Sequence, residues 1–120
     1  MNETWENEIY QSMTEKMKAE SSRFLGCYKL EETVFSAEIV KDSQHHLIWF
    51  DEELNLLKQV PYSTYDLKKI NQKADELKMS DYDIQLGWYL EKPVVVLKDK
   101  QQEILLDYAS LETVLIYKRG

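Results

Sequence analysis

Eight short runs of β-branched and aromatic residues, at 24–30, 33–40, 46–51, 54–60, 84–90, 93–98, 103–108 and 113–118, most constrain what this chain can become. Each is strand-sized and bounded by polar turn residues such as "LEET" (30–33), "KDSQ" (41–44), "DEE" (51–53) and "DKQQ" (99–102). The runs fall into two sets of four, and a helical pattern precedes each set. In the first, Trp5, Ile9, Met13 and Met17 recur every four residues and predict a helix over 3–20, with Asn2 as its expected cap. In the second, Ser63 with Asp66 reads as a capping-box-like start over 63–78. Leu67, Ile70, Ala74 and Leu77 then form the expected buried face, and "SDYD" (80–83) the stop. Pro93 lacks an N–H, so it belongs at the start of a strand or on an edge.

The two sets also share letters. "LGCY" at 25–28 and "LGWY" at 86–89 follow the two helices at the same place, and "VKD" at 40–42 matches "LKD" at 97–99. These matches predict an α+β chain made of two tandem units, 1–61 and 62–120, each with one helix packed on an antiparallel sheet of three to four strands. A unit of roughly 60 residues is marginal alone. The two are therefore expected to dock as one body, with Trp49, Phe50, Trp88 and Tyr89 near the junction and the far sheet faces left wet.

Charge narrows the function classes. A formal net charge of −7 disfavours a nucleic-acid binder, which needs a basic face, and disfavours electrostatic docking on an anionic membrane. With one cysteine, Cys27, no intramolecular disulfide forms. No apolar run approaches the ~20 residues of a membrane span, and no signal-peptide pattern is present. The protein is then either cytosolic or carried by an anchor that precedes residue 1.

Chemistry-bearing constellations are scarce. His45 and His46 are adjacent in a strand and point to opposite faces, so they do not chelate one metal together. Cys27 reads as a small, partly buried residue rather than a nucleophile. Glu31, Glu32, Asp51, Glu52, Glu53, Asp81, Asp83 and Asp99 sit in or beside expected turns, where solvated charge is the default over acid–base work. No calcium-loop or phosphate-loop spacing occurs. The expectation is therefore no enzyme, no metal and no cofactor. The aromatic residues are the richer signal: Tyr62, Tyr65, Tyr82, Trp88 and Tyr89 are candidate partner-binding residues around the second helix and the strand after it.

The segments "LGWY", "KPVVVLKD" and "ILLDYASLETVLIYK" resemble the second repeat of the YpmB-like proteins, also called TseB-like cell-wall elongation regulators. Leu86, Gly87, Pro93, Val94, Val96, Tyr108 and Tyr117 fall at matching positions, and "HHLIWFDEE" is similar to the Trp-containing strand of the first repeat. Val95 and Val96 stand where the family often has Trp-Glu, and "ASLE" replaces the glycine of the last tight turn. The resemblance implies two cystatin-like, PepSY-type units held outside the membrane by an N-terminal anchor that is not in this chain. It also implies a non-enzymatic role: regulating peptidoglycan synthesis by contact with a penicillin-binding transpeptidase, with no catalytic residues to carry over. Two rivals stand beside it. One is a cytosolic inhibitor or immunity-type protein covering a partner enzyme. The other is an enzyme that uses a cystatin-like cavity.

Overall fold

The computed structural model describes residues 3–118. Helix α1 (Glu3–Met17) leads into β1 (Ser21–Lys29), β2 (Thr33–Lys41), β3 (Gln44–Asp51) and β4 (Leu56–Pro61). A 3-10 turn at Tyr62–Thr64 and helix α2 (Leu67–Glu76) follow, then β5 (Asp83–Tyr89), β6 (Lys92–Lys98), β7 (Gln102–Asp107) and β8 (Thr113–Lys118). The strands form two four-stranded antiparallel meanders, β1-β2-β3-β4 and β5-β6-β7-β8. The chain is thus α+β with a two-unit layout.

Each helix covers a sheet, by different means. Helix α1 lies on an aromatic face of the first sheet. Tyr10 and Met13 are buried there with Phe35, Ala37, Ile39, Ile48 and Phe50. The Phe35 and Phe50 rings stack at 5.4 Å, and Tyr10 meets both edge-on. Its hydroxyl donates to the carbonyl of Gly26 and accepts from the Gly26 N–H at 2.8 Å. Gly26 sits at a bulge in β1 with φ +137°, a conformation side-chain-bearing residues rarely adopt. Helix α2 presents Ile70 and Ala74 to a central core shared by both units: Val34, Leu47 and Trp49 of the first sheet, and Leu86, Trp88, Val95, Leu97, Ile104 and Leu106 of the second.

A third cluster closes the far face of the second sheet. Tyr28, from the end of β1, is buried over Val94, Val96 and Leu105, with Leu30, Tyr89, Leu115 and Tyr117 around it. Its hydroxyl donates to Glu103 Oε2 at 2.7 Å. Gly87 makes this possible, since a Cβ there would lie 2.8 Å from Tyr28 Cδ2 and 2.9 Å from Val96 Cγ2. The far face of this sheet is therefore not wet as expected: β1 of the first unit covers it. The alternation of strand side chains also splits the aromatic pairs expected at the junction. Trp49 and Trp88 enter the central core, whereas Phe50 faces α1 and Tyr89 joins the Tyr28 cluster.

Other expectations are corrected at the element ends. The cap of α2 is Asp66, whose side chain accepts from the Lys69 N–H, not Ser63, which lies in the 3-10 turn after Pro61. The helix runs Leu67–Glu76 rather than 63–78. Leu67, in its first turn, is 49% exposed because the sheet beneath α2 is met only from Ile70 onward. Helix α1 ends at Met17, and β1 begins at Ser21 rather than 24. The Asn2 cap lies outside the described residues. Of the shared letters, "LGxY" keeps its faces: Cys27 and Trp88 pack on the side of the preceding helix, Tyr28 and Tyr89 on the other. "VKD" and "LKD" do not. Ile39 faces α1, but its counterpart Val96 faces away from α2.

Candidate functional site

The edges of the two sheets meet at β1 and β5. The strands run side by side without a main-chain ladder, linked by Gln85 Nε2 donating to the Cys27 carbonyl at 3.2 Å. Next to this link the edges part around a pocket of about 190 Å3. Leu25, Leu47, Ile84 and Leu86 form its apolar wall, and Arg23, Tyr62, Tyr65 and Gln85 bring polar groups to it. Strands β1, β3 and β5 and the turn after β4 thus each contribute, so the pocket exists only when both units are docked.

Arg23 is its one cationic group. It is one of the two arginines in the chain, the other being Arg119, against 15 basic residues in all. Its Nε and Nη2 both donate to Glu38 Oε1, at 3.0 and 2.8 Å, and Nη2 also reaches the Tyr62 hydroxyl at 3.4 Å. The Nη1 protons have no partner among the described residues. Glu38 is shared: His45 Nδ1 lies 3.0 Å from its Oε2. Partial burial pushes the Glu38 carboxyl up, but the hydrogen bonds from His45 and Arg23 outweigh it and hold the group below its ordinary range. The Tyr62 and Tyr65 rings stand 6.1 Å apart. Burial and the neighbouring Tyr62 push the Tyr65 hydroxyl up, against a smaller pull down from Arg23, so it stays a neutral donor.

A second recess, a groove of about 720 Å3, runs along the free edge of β4. Leu57, Val60 and Pro61 form one wall; Trp88, Pro93 and Tyr108 form the other. Its charges oppose one another, Lys58 and Lys92 against Glu91 and Asp107. Below it, Trp49 meets Tyr108 edge-on at 5.2 Å, and the buried Trp49 Nε1 has no hydrogen-bond partner among the described residues.

The five candidate aromatics do not form one patch. Tyr62 and Tyr65 come together at the pocket. Tyr82 is half-buried and donates to Asn71 Oδ1 at 2.7 Å, fastening α2. Trp88 is core, with one edge in the groove, and Tyr89 lies on the far side of its sheet. Arg23, Leu25, Leu47 and Ile84–Leu86 were not expected at a site. Arg23 lies in a stretch that reads only as a break after a helix, and the one signal is an arginine in a lysine-rich chain.

Three of the turn carboxylates have local work. Asp51 Oδ1 accepts from the Glu53 and Asn55 N–H groups, Asp99 Oδ1 from those of Gln101 and Gln102, and Glu31 Oε1 from that of Leu90 at 3.0 Å. His45 and His46 contact different partners, Glu38 and Gln59. Among the described residues no group of three or more His, Cys, Asp or Glu is placed to hold a metal ion. Burial pushes the Cys27 thiol up, away from the reactive thiolate. Among the described residues no helix is long and apolar enough to cross a membrane.

No family model matches the chain, and no curated protein matches it. Among solved structures it is similar to a candidate lipoprotein of Clostridium difficile 630, at 16% identity over 92% of this chain and 90% of that one. The TM-score is 0.34, too low for the likeness to bear on fold or function.

Proposed function

We propose that this chain is a non-catalytic protein-binding module that engages its partner at the junction of its two units. One observation carries the reading: docking the units builds a polar-rimmed, apolar-walled pocket that brings Tyr62 and Tyr65 to Arg23. Such convergence of a few polar groups on an apolar recess is what binding sites look like, and Tyr and Arg are the side chains that dominate binding energy. Three of the turn carboxylates, Asp51, Asp99 and Glu31, are by contrast occupied in holding the backbone.

The sequence resemblance extends this reading. The units are cystatin-like, the protein is held outside the membrane by an anchor preceding this chain, and the partner is a penicillin-binding transpeptidase whose peptidoglycan synthesis it regulates. The test is a photo-reactive amino acid at position 65 of the full-length protein, with a control at the exposed Gln72 of α2. Cross-linking from 65 and not 72, to a wall transpeptidase, is the expected result. Equal cross-linking from both positions contradicts the junction as the binding face. A cytosolic enzyme as the cross-linked partner contradicts the wall role and returns the inhibitor reading.

A further inference from the structure

We propose that the junction pocket captures the C-terminal residue of a partner polypeptide, its carboxylate on Arg23 and its apolar side chain against Leu25, Leu47, Ile84 and Leu86. This rests on the reading of the chain as a binding module and names what that module would bind. Three features of the pocket converge on it. First, size: about 190 Å3 takes one side chain, not a folded surface. Second, charge: in a chain of net charge −7, the only formal charge lining this pocket is the positive Arg23. Its counter-ion Glu38 is divided, one oxygen taking Arg23 and the other facing His45. That leaves the Nη1 edge of the guanidinium open, 59% of the side chain being exposed, for the forked pairing that suits a carboxylate. The Tyr65 hydroxyl, which has no partner among the described residues, is a second donor. Third, backbone: the pocket lies where β1 and β5 meet, and neither edge carries a second ladder; the Gly26 groups and the Cys27 carbonyl are taken by Tyr10 and Gln85, so the open stretch is that of Arg23–Leu25 and of β5. An extended chain end can pair along such an edge while its last residue enters the pocket. The β4 groove, although larger, has opposed charges and nothing that selects an occupant.

The probes are the tetrapeptide Gly-Gly-Ala-Leu with a free C-terminus, the same peptide amidated, and N-acetyl-leucine, each titrated into the 15N-labelled chain and followed by amide shifts. The expected result is saturable binding of the free-acid peptide, with shifts clustered at Arg23–Leu25, Leu47 and Ile84–Leu86. Amidation weakens it about tenfold or more, the loss of a charge-assisted pair. Arg23→Gln has the same effect, and Tyr65→Phe a smaller one, both with an otherwise unchanged spectrum. Equal binding of acid and amide, shifts elsewhere, or no saturable shift overturns the proposal. So does N-acetyl-leucine binding as tightly as the peptide, which would assign the pocket to small free carboxylates. The partner itself separates this failure from failure of the parent reading. If cross-linking from position 65 persists undiminished in Arg23→Gln, the module stands and the chain-end proposal falls.

Discussion

At the residue scale, two side chains decide how the parts fit. Tyr10 ties α1 to the bulge of β1 through both main-chain groups of Gly26. Tyr10→Phe is expected to cost about 1–2 kcal/mol in chemical denaturation, because the Gly26 groups lose their partner while the ring packing survives. Tyr28 ties the first unit to the second, and Gly87 provides its space. Gly87→Ala forces a methyl into ring and valine carbons, and about 1–3 kcal/mol is the expected loss. In a double-mutant cycle with Tyr28→Leu, the two changes should cost less together than the sum of each alone, since the smaller side chain vacates the clash. Strict additivity would mean that the glycine serves something else. Neither role is readable from the letters. "LGCY" and "LGWY" look like one motif, yet Gly26 is needed for its φ and Gly87 for its lack of a side chain.

At the element scale, the strands were legible because each run is rich in β-branched and aromatic residues and ends in polar turn residues. What was not legible is which face meets what. In β2 and β6 both faces are buried, so "VFSAEIV" and "PVVVL" show no clean polar side to orient them. Leu67 is exposed for another reason, its place in the first turn of α2 before Ile70 meets the core, and Phe50 parts from Trp49 because adjacent strand residues face opposite ways. Turn chemistry was legible only in part, because the chain bends without glycine. Leu90 and Glu91 both adopt positive φ, 52° and 61°, in the two-residue turn between β5 and β6, and Leu90 is 62% exposed. Side chains there cost roughly 1 kcal/mol each over the residues that suit such a turn. Leu90→Asn with Glu91→Gly should therefore raise stability by about 1–2 kcal/mol, read as a shift of the denaturation midpoint at constant slope. The site was partly legible for a related reason. Tyr62 and Tyr65 stand out as aromatics beside a proline, whereas Arg23 is marked only by what folds against it.

At the scale of the whole molecule, charge sets how stability follows pH. Partial burial raises both Glu38 and Asp51, but hydrogen bonds outweigh it and hold both below the ordinary carboxylate range: for Glu38 from His45 and Arg23, for Asp51 chiefly from Asn55. Their contribution is present above the unfolded carboxylate pKa of about 4 and is lost as pH falls through the lower folded values. Asp51→Asn with Glu38→Gln should flatten that acid limb. At the other end, burial pushes Tyr10 up to about 12 and raises Tyr28 further still. Their contribution is complete below pH ~10, the unfolded tyrosine value, and is lost as pH rises toward the folded one. Tyr10→Phe should reduce this alkaline loss.

The two units should unfold as one cooperative body, since the pocket and the cover over the second sheet exist only when they are docked. Native-state amide exchange tests it most directly. Amides in β2 and β3 of the first sheet and in β6 and β7 of the second should share one highest opening free energy, equal to that of global unfolding, and Gly87→Ala should lower both together. Separate highest values for the two sheets, with Gly87→Ala lowering only the second, would instead show two independent units joined by a chain.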